Sequence, residues 1–266
     1  MTNALLHYKS YGDSSNPACI ILLHGMLGSM DNWRSQAKQL SAFFHVITPD
    51  LRNHGHSPHI SGMRYQNMAQ DVLDLTNHLG LQSFDLLGHS MGGKVAMEMA
   101  LQPSQTIQRL LIVDIAPKPY ELWHLATFKA LLSLPIADLT SRSQADEFLA
   151  NYIEDPFERA FLLKNLQSSK SGGYTWRCNL QEITRAYLNI ANFTQQTNAT
   201  FSGKTLFIKG GQSPYIDLET DPSIISTFFP EAVLQTIEGS GHNPHVEKAP
   251  SFYQTVSKFL DLSTTS

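Results

Sequence analysis

The chain has 266 residues, a formal net charge of −4 and 42% hydrophobic residues. This length fits one α/β domain with an insertion, and the lack of a basic excess argues against a nucleic acid partner. Two cysteines are too few for a disulfide framework. The first residues lack the basic and apolar regions of a secretory signal, and no apolar run is long enough for a membrane span. We therefore expect a cytoplasmic protein.

Short apolar runs alternate with amphipathic stretches, which is typical of βαβ units on a mostly parallel, doubly wound sheet. The predicted strands are 5–10, 18–23, 44–48, 83–87, 110–115, 205–209 and 233–237. The predicted helices between them are 32–42, 67–79, 94–101, 222–229 and 246–259. The turn-rich segment 11–17 joins the first two strands, so we expect them to form a hairpin.

The alternation stops between Pro117 and about Thr200. Short helices are predicted there at 121–132, 143–153, 156–166 and 180–190, interrupted by the pair Gly172-Gly173. Because this stretch leaves one strand and re-enters another, we interpret 118–199 as a helical lid. The core is then 1–117 together with 200–266. The alternative is a separate helical domain with no role at the site.

The segment 88–92, Gly-His-Ser-Met-Gly, lies between a predicted strand and a predicted helix. In this context a G-x-S-x-G motif forms a sharp turn that exposes the serine as a nucleophile. Glycines at Gly88 and Gly92 avoid clashes that side chains would make in so tight a turn. We expect Ser90 to be a catalytic serine; the alternative is an ordinary tight turn.

A catalytic serine needs a histidine base and an acid that orients the histidine. His242 follows the last predicted strand and a flexible Gly-Ser-Gly segment, so we favour it over His245. Asp114 ends an otherwise apolar strand, where a carboxylate is costly without a partner. Asp217 lies in the loop after strand 205–209, the commoner place for the acid, although Ser213 occupies the usual position. We favour Asp114 and keep Asp217 as the alternative.

Acyl transfer also requires N–H donors for a developing oxyanion. We expect them to be the backbone amides of Met91, just after the serine, and of Met26, in a Gly-rich loop after an early strand. We further expect substrate contacts from four residues: Gly25, Leu27, His89 and Trp176. An apolar pocket is a further expectation, with lining candidates Met26, Met91, Phe128, Phe157, Phe161, Leu162 and Trp176.

His54, His56 and His59 crowd one Gly/Pro-rich turn. No cysteine and no H-E-x-x-H helix accompanies them, so a structural loop is favoured over a metal site. The chain is expected to need neither a metal nor a cofactor.

Taken together, the motifs resemble the α/β-hydrolase superfamily over nearly the whole chain, and within it the small YbfF-type esterases and thioesterases with their mitochondrial relatives. The matching segments are 24–29, 31–32, 50–58, 88–94, 113–117, 210–215 and 241–248. The resemblance implies a serine hydrolase of short acyl esters or acyl thioesters without a cofactor. It implies Ser90 as nucleophile, His242 as base and Asp114 as acid.

Two other classes stay open. The same fold supports a lyase of the menaquinone-pathway type, in which Arg52 and Lys94 would bind a carboxylate substrate. It also supports a non-catalytic ligand receptor. The expected partner in the favoured class is a small-molecule acyl ester, and the expected assembly is a monomer or a weak dimer.

Overall fold

The computed structural model describes residues 5–103, 106–170, 172–193 and 199–262. The strands in these ranges are β1 (Tyr8–Tyr11), β2 (Cys19–Leu23), β3 (His45–Pro49), β4 (Phe84–His89), β5 (Ile107–Val113), β6 (Leu166–Ser168), β7 (Tyr174–Trp176), β8 (Lys204–Gly210) and β9 (Ala232–Ile237). The helices are α1 (Arg34–Leu40), α2 (Tyr65–His78), α3 (Met91–Ala100), α4 (Leu125–Ser133), α5 (Arg142–Leu149), α6 (Pro156–Leu162), α7 (Leu180–Arg185), α8 (Tyr187–Ala191), α9 (Asp221–Phe228), α10 (Pro244–Glu247) and α11 (Ala249–Phe259). Short 3-10 helices cover Met30–Trp33 and Leu163–Asn165.

The main sheet has seven strands in the order β1-β3-β2-β4-β5-β8-β9. β1 pairs antiparallel with β3, and the other neighbouring pairs are parallel. All seven predicted strands are confirmed, with ends that differ by up to three residues. The sheet confirms the predicted α/β-hydrolase architecture.

The predicted hairpin between the first two strands is wrong. β1 pairs with β3, with Tyr8 opposite Pro49, and β3 lies between β1 and β2. The apolar strand β2 has both edges occupied, by β3 and β4. A fully buried strand in the middle of a parallel sheet satisfies its backbone better than one at an edge, so the short linker crosses over β3 instead of turning back.

Both faces of the sheet are covered, which explains the unbroken apolar runs in its strands. Along β2, Ile21 and Leu23 face a core shared with α2, α3 and the stretch after β5. Ile20 and Leu22 face a second core with α1 and α11. The period-two alternation of strand side chains therefore supplies both cores from one sequence segment.

The stretch between β5 and β8 contains helices α4 to α8 and one element that the sequence did not predict. This element is the antiparallel pair β6 and β7, with Leu166 opposite Trp176. Gly173 lies at its turn with φ of 66°, and an added Cβ there would lie 2.3 Å from the carbonyl oxygen of Ala137. Three-residue strands are too short to show an alternating pattern, so the sequence indicates the glycine pair only as a break between helices. In the part of the chain that is described, no helix combines the length and hydrophobicity of a membrane span.

Candidate active site

The turn after β4 holds Ser90 in a backbone conformation that L-residues rarely adopt, with φ of 51° and ψ of −118°. An added Cβ at Gly88 would lie 2.2 Å from the carbonyl oxygen of Gly92, and one at Gly92 would lie 2.5 Å from that of His24. Such strain is typical of functional turns that a surrounding structure enforces. The two glycines therefore permit the turn that presents the Ser90 hydroxyl at the carboxyl end of β4.

Three side chains from separate loops form one hydrogen-bonded series at this edge of the sheet. Ser90 Oγ lies 3.0 Å from His242 Nε2, and His242 Nδ1 lies 2.8 Å from Asp114 Oδ2. Asp114 is fully buried, whereas the side chain of His242 is 26% exposed. This arrangement of hydroxyl, imidazole and carboxylate allows proton transfer from the serine to the imidazole.

The carboxylate of Asp114 is satisfied on both oxygens. Oδ1 accepts from the backbone N–H of Gly210 at 2.8 Å, and Oδ2 accepts a short hydrogen bond from the Ser213 hydroxyl. Asp114 itself has φ of 52°, so the chain bends sharply just past β5. These donors offset the cost of burying the charge and orient the carboxylate toward His242.

The alternative acid, Asp217, lies elsewhere. It is exposed and accepts hydrogen bonds from the backbone N–H groups of Glu219 and Thr220, at 2.7 and 3.1 Å. The hydrogen bond from Glu219 is the main cause that lowers the pKa of Asp217, followed by the one from Thr220. The residue closes a surface turn before α9, and the structure gives it no contact with His242.

The imidazole of His242 is enclosed by other rings. Tyr215 stacks on it with centroids 3.8 Å apart and planes inclined by 15°. His89 Nε2 donates to the backbone oxygen of His242 at 2.8 Å, which holds the loop. The alternative base, His245, is buried against Trp33 at 4.4 Å between centroids, and burial lowers its pKa to about 3. His245 therefore packs behind the loop and away from the serine.

The loop after β2 lies directly against Ser90. A Cβ added to Gly25 would lie 2.9 Å from His89 Nδ1 and 3.3 Å from Ser90 Cβ, so only glycine permits this approach. Met26 follows in this loop, and Met91 is the first residue of α3, where an N–H has no partner within the helix. Both backbone amides are therefore candidates to bind an oxyanion next to the serine.

Hydrogen bonds to both backbone polar groups of Leu27 fix this loop. Its φ is 58°, its N–H donates to His54 Nε2 at 3.1 Å, and its carbonyl accepts from Asn165 Nδ2 at 2.7 Å. His24 supports the same loop, because its Nε2 accepts from the N–H of Leu51 at 3.0 Å. Burial lowers the pKa of His24 to about 4 and that of His54 to about 3, so both are neutral acceptors at pH 7.

Two histidines of the Gly/Pro-rich turn 54–59 therefore have a structural role. His54 supports Leu27, and His59 Nε2 donates to the carbonyl oxygen of Arg177 at 3.2 Å. Within the described ranges no group of three or more His, Cys, Asp or Glu side chains could hold a metal ion.

A cavity opens beside the Ser90 hydroxyl. Its walls come from Ser90, the proposed oxyanion residues, α3, the stretch between β5 and β8, and the loop after β8. The lining residues are Met26, Tyr65, Ser90, Met91, Lys94, Ile115, Tyr120, Glu121, Trp123, His124, Tyr187, Ile190, Ala191 and Tyr215. Most are aromatic or aliphatic, which suits an acyl chain.

Several expected substrate contacts do not line this cavity. Leu27 points into the core, His89 is held under the His242 loop, and Trp176 lies in β7. Gly25 contributes only its close backbone approach to Ser90. Of the other predicted apolar lining residues, Phe128 is buried in the core and Phe157 is 84% exposed.

Phe161 and Leu162 likewise pack in or against the core. The sequence analysis did not predict five other lining residues, Tyr65, Tyr120, His124, Tyr187 and Tyr215. They come from separate helices and loops, so no local motif links them.

The two basic residues considered for a carboxylate substrate are separated by the structure. Arg52 forms a buried salt bridge with Asp71, with Nη2 and Oδ1 2.6 Å apart, and also donates to the carbonyl oxygen of Gly62. It is therefore committed to the protein and does not line the cavity. Lys94 does line it.

The chain matches the α/β-hydrolase fold family over residues 19–249. It is 39% identical to the sn-1-specific diacylglycerol lipase ABHD11 of Mus musculus, with 94% of this chain and 82% of that protein covered. It is 31% identical to Esterase YbfF of Escherichia coli (strain K12), with 92% and 94% covered. A solved structure, a marine microorganism esterase, has a TM-score of 0.92 at 34% identity and covers 96% of this chain and 99% of that one. The chain belongs to the α/β-hydrolase family and resembles its YbfF-type esterases.

Proposed function

We propose that this protein hydrolyses carboxylic esters with short acyl chains, or the corresponding thioesters, through Ser90, His242 and Asp114. The observation that carries the proposal is the continuous series of hydrogen bonds from Ser90 Oγ through His242 to Asp114. The relatives named esterase and lipase are carboxylic ester hydrolases by name and support the same enzyme class.

The first half-reaction starts with the Ser90 oxygen attacking the substrate carbonyl carbon. His242 Nε2 takes the hydroxyl proton, and Asp114 keeps the other ring proton on Nδ1 and stabilises the imidazolium. The carbonyl oxygen becomes an oxyanion that the N–H groups of Met26 and Met91 bind. The positive end of α3 lies beneath the serine and favours the same charge.

Collapse of the tetrahedral intermediate and then hydrolysis of the acyl-enzyme release the two products in turn. His242 gives its proton to the leaving alcohol or thiol, and the acyl group stays on Ser90 as an ester. Water then attacks this acyl-enzyme with His242 again as base, which frees the carboxylic acid and restores the serine. No residue beyond the three side chains and two amides is needed for the proton balance.

The size of the cavity supports a short acyl chain. The cavity holds only about 40 Å³ of free space, which leaves little room for a long chain. Tyr120, Trp123 and Tyr187, all from the stretch 118–199, form part of its wall. We infer that this stretch acts as a lid, which shapes the acyl pocket and limits water around the serine.

The experiment is hydrolysis of p-nitrophenyl esters with acyl chains from two to twelve carbons, with Ser90→Ala as the control. We expect kcat/KM to fall as the chain lengthens and the Ser90→Ala variant to lose ~10⁴- to 10⁶-fold in kcat. Mass spectrometry after rapid quenching should find the acyl group on the peptide that contains Ser90. Acyl thioesters of the same chain lengths, assayed by thiol release, compare the two leaving groups.

Unchanged turnover by Ser90→Ala would exclude the serine mechanism. Labelling of Ser90 by a fluorophosphonate without hydrolysis of any ester would contradict the proposed substrate class. A circular dichroism spectrum and a melting temperature equal to those of the wild type establish that the variant is folded.

A further inference from the structure

Lys94 is a buried cation on the wall of the substrate cavity. It is 1% exposed and lies on α3 one helical turn after Ser90. Ser90 and Lys94 both line the cavity, so the Lys94 side chain leaves α3 on the side of the nucleophile. Lys94 therefore shares the cavity with Ser90, although the proposed proton transfers do not use it.

The ammonium group has protein partners but no acidic one in the described ranges. Nζ donates to the carbonyl oxygens of Ala191 at 2.8 Å and Asn192 at 3.1 Å, and lies 4.7 Å from the ring centroid of Tyr120. Two other cations differ, since the buried Arg52 has Asp71 and the partly exposed Lys118 has Asp221.

Lys209 is also held only by carbonyl oxygens, those of Gly210 and Ser213, but it does not line the cavity. Lys94 thus has no acidic partner in the described ranges and also lines the cavity beside Ser90.

A lysine ammonium has three donors, and the two carbonyl oxygens take two of them. Burial lowers the pKa of Lys94 to about 7, which reflects the cost of an unbalanced charge at this position. An anionic group in the cavity would provide both the third acceptor and the counter-charge. Glu121, the other charged residue on the lining, is exposed and accepts from Trp123 Nε1 at 3.2 Å, so its negative charge lies toward solvent.

We propose that the preferred substrates are esters or thioesters whose acyl part ends in a carboxylate, that is, half-esters of dicarboxylic acids, and that Lys94 binds this carboxylate. The inference rests on the proposed function and deepens it by naming the substrate class. The acyl carbonyl is placed at Ser90, and the distal carboxylate lies toward Lys94 with Tyr65 and Tyr120 beside it.

A purely structural lysine would hold the end of α8, since Ala191 is the last residue of that helix. Such a lysine would not distinguish a substrate carboxylate from a neutral group of the same shape. The experiment therefore compares monomethyl esters of succinate, glutarate and adipate with the methyl esters of 4-oxopentanoate, 5-oxohexanoate and 6-oxoheptanoate. In each pair the first ester ends in a carboxylate and the second ends in a methyl ketone of similar shape. Chromatography measures the acid released by hydrolysis.

For the wild type we expect kcat/KM to favour the carboxylate of at least one pair by ~10- to 100-fold, the range for a hydrogen bond between charged groups. Lys94→Met should bring this ratio to about one or below, and Lys94→Arg should restore part of it. Lys129→Met removes a positive charge from an exposed position on α4 and should keep the wild-type ratio. A ratio is independent of how much of each variant is active, so partial misfolding does not obscure it.

A wild-type ratio of one or less for all three pairs would overturn the proposal, and this result does not require a folded variant. A preference that persists in Lys94→Met would also overturn it. In both cases hydrolysis of the keto esters would leave the proposed function intact. Failure of the proposed function looks different, because then neither member of any pair is hydrolysed and a fluorophosphonate does not label Ser90.

Discussion

The hydroxyl of Ser213 donates a hydrogen bond to Asp114 Oδ2, the same oxygen that lies 2.8 Å from His242 Nδ1. Asp114 follows β5 and Ser213 lies in the loop after β8, so two neighbouring parallel strands deliver both residues to one point. The position after β8 where the acid commonly stands in this fold is thus occupied by a residue that donates to a carboxylate from the end of β5. This geometry explains how a carboxylate at the end of an apolar strand is kept buried and oriented.

Asp114→Asn should be severely impaired, because an amide can stabilise neither the imidazolium nor the required tautomer of His242. We expect a fall of ~10⁴-fold in kcat for a short ester with little change in fold. Asp217→Asn is the matched control, since that side chain only closes an exposed turn, and its kcat should be close to that of the wild type. Equal losses in the two variants, or a larger loss in Asp217→Asn, would reassign the acid.

Ser213→Ala should lower kcat by ~10-fold and leave KM nearly unchanged. The substitution removes a hydrogen bond to a charged oxygen, and Asp114 then keeps only the N–H of Gly210 to hold it against the imidazole. Steady-state kinetics on the same ester measures the effect. Ser226→Ala, in which an exposed hydroxyl on α9 is lost, serves as the control, and an unchanged kcat in Ser213→Ala would contradict a role in orienting the acid.

Gly92→Ala should destabilise the fold by about 3 kcal/mol and abolish activity, because an added Cβ would lie 2.5 Å from the carbonyl oxygen of His24. Backbone cannot move aside there without displacing the loop next to Ser90. Gly80→Ala is a useful comparison, since its φ is 67° but no atom lies within 4 Å of an added Cβ. That variant should lose only about 1 kcal/mol from the left-handed backbone conformation. Urea unfolding measures both, and similar losses would show that crowding at Gly92 is not decisive.

Acid should destabilise the protein as buried neutral histidines become protonated on unfolding. Burial lowers the pKa of His24 to about 4 and that of His54 and His245 to about 3, against about 6.5 in an unfolded chain. Between these values the unfolded state binds more protons, so the free energy of unfolding falls as pH falls. Each such histidine contributes a slope of about 1.4 kcal/mol per pH unit.

The check is His54→Gln, measured by urea unfolding at several pH values between 6.5 and 4. Its free energy of unfolding should depend less steeply on pH than that of the wild type. His56→Gln changes an exposed histidine two residues away and should keep the wild-type slope. A slope in His54→Gln as steep as in the wild type would mean that burial does not keep His54 neutral in the folded state.

Local sequence patterns predicted much of this protein. The seven strands of the main sheet could be predicted because each is a short apolar run bounded by turn residues. The turn around Ser90 could be predicted because so tight a turn tolerates only glycine at fixed positions. The preference for His242 followed from its place after the last predicted strand and from the flexible glycines just before it. Each of these inferences depends on the backbone preferences of a few consecutive residues.

Only the tertiary structure distinguishes Asp114 from Asp217 by position. It brings Asp114, at the end of β5, to His242 and leaves Asp217 exposed to solvent. Likewise, only packing separates Arg52, committed to Asp71, from Lys94, which lines the cavity. The same packing brings Asn165 and His54 to opposite sides of Leu27.

The sequence by itself therefore determined the strands of the main sheet, the serine turn and the chemical types of side chain available. The tertiary structure decided which distant residues meet, because that depends on how segments more than 150 residues apart share one buried volume. No local backbone preference records such a contact.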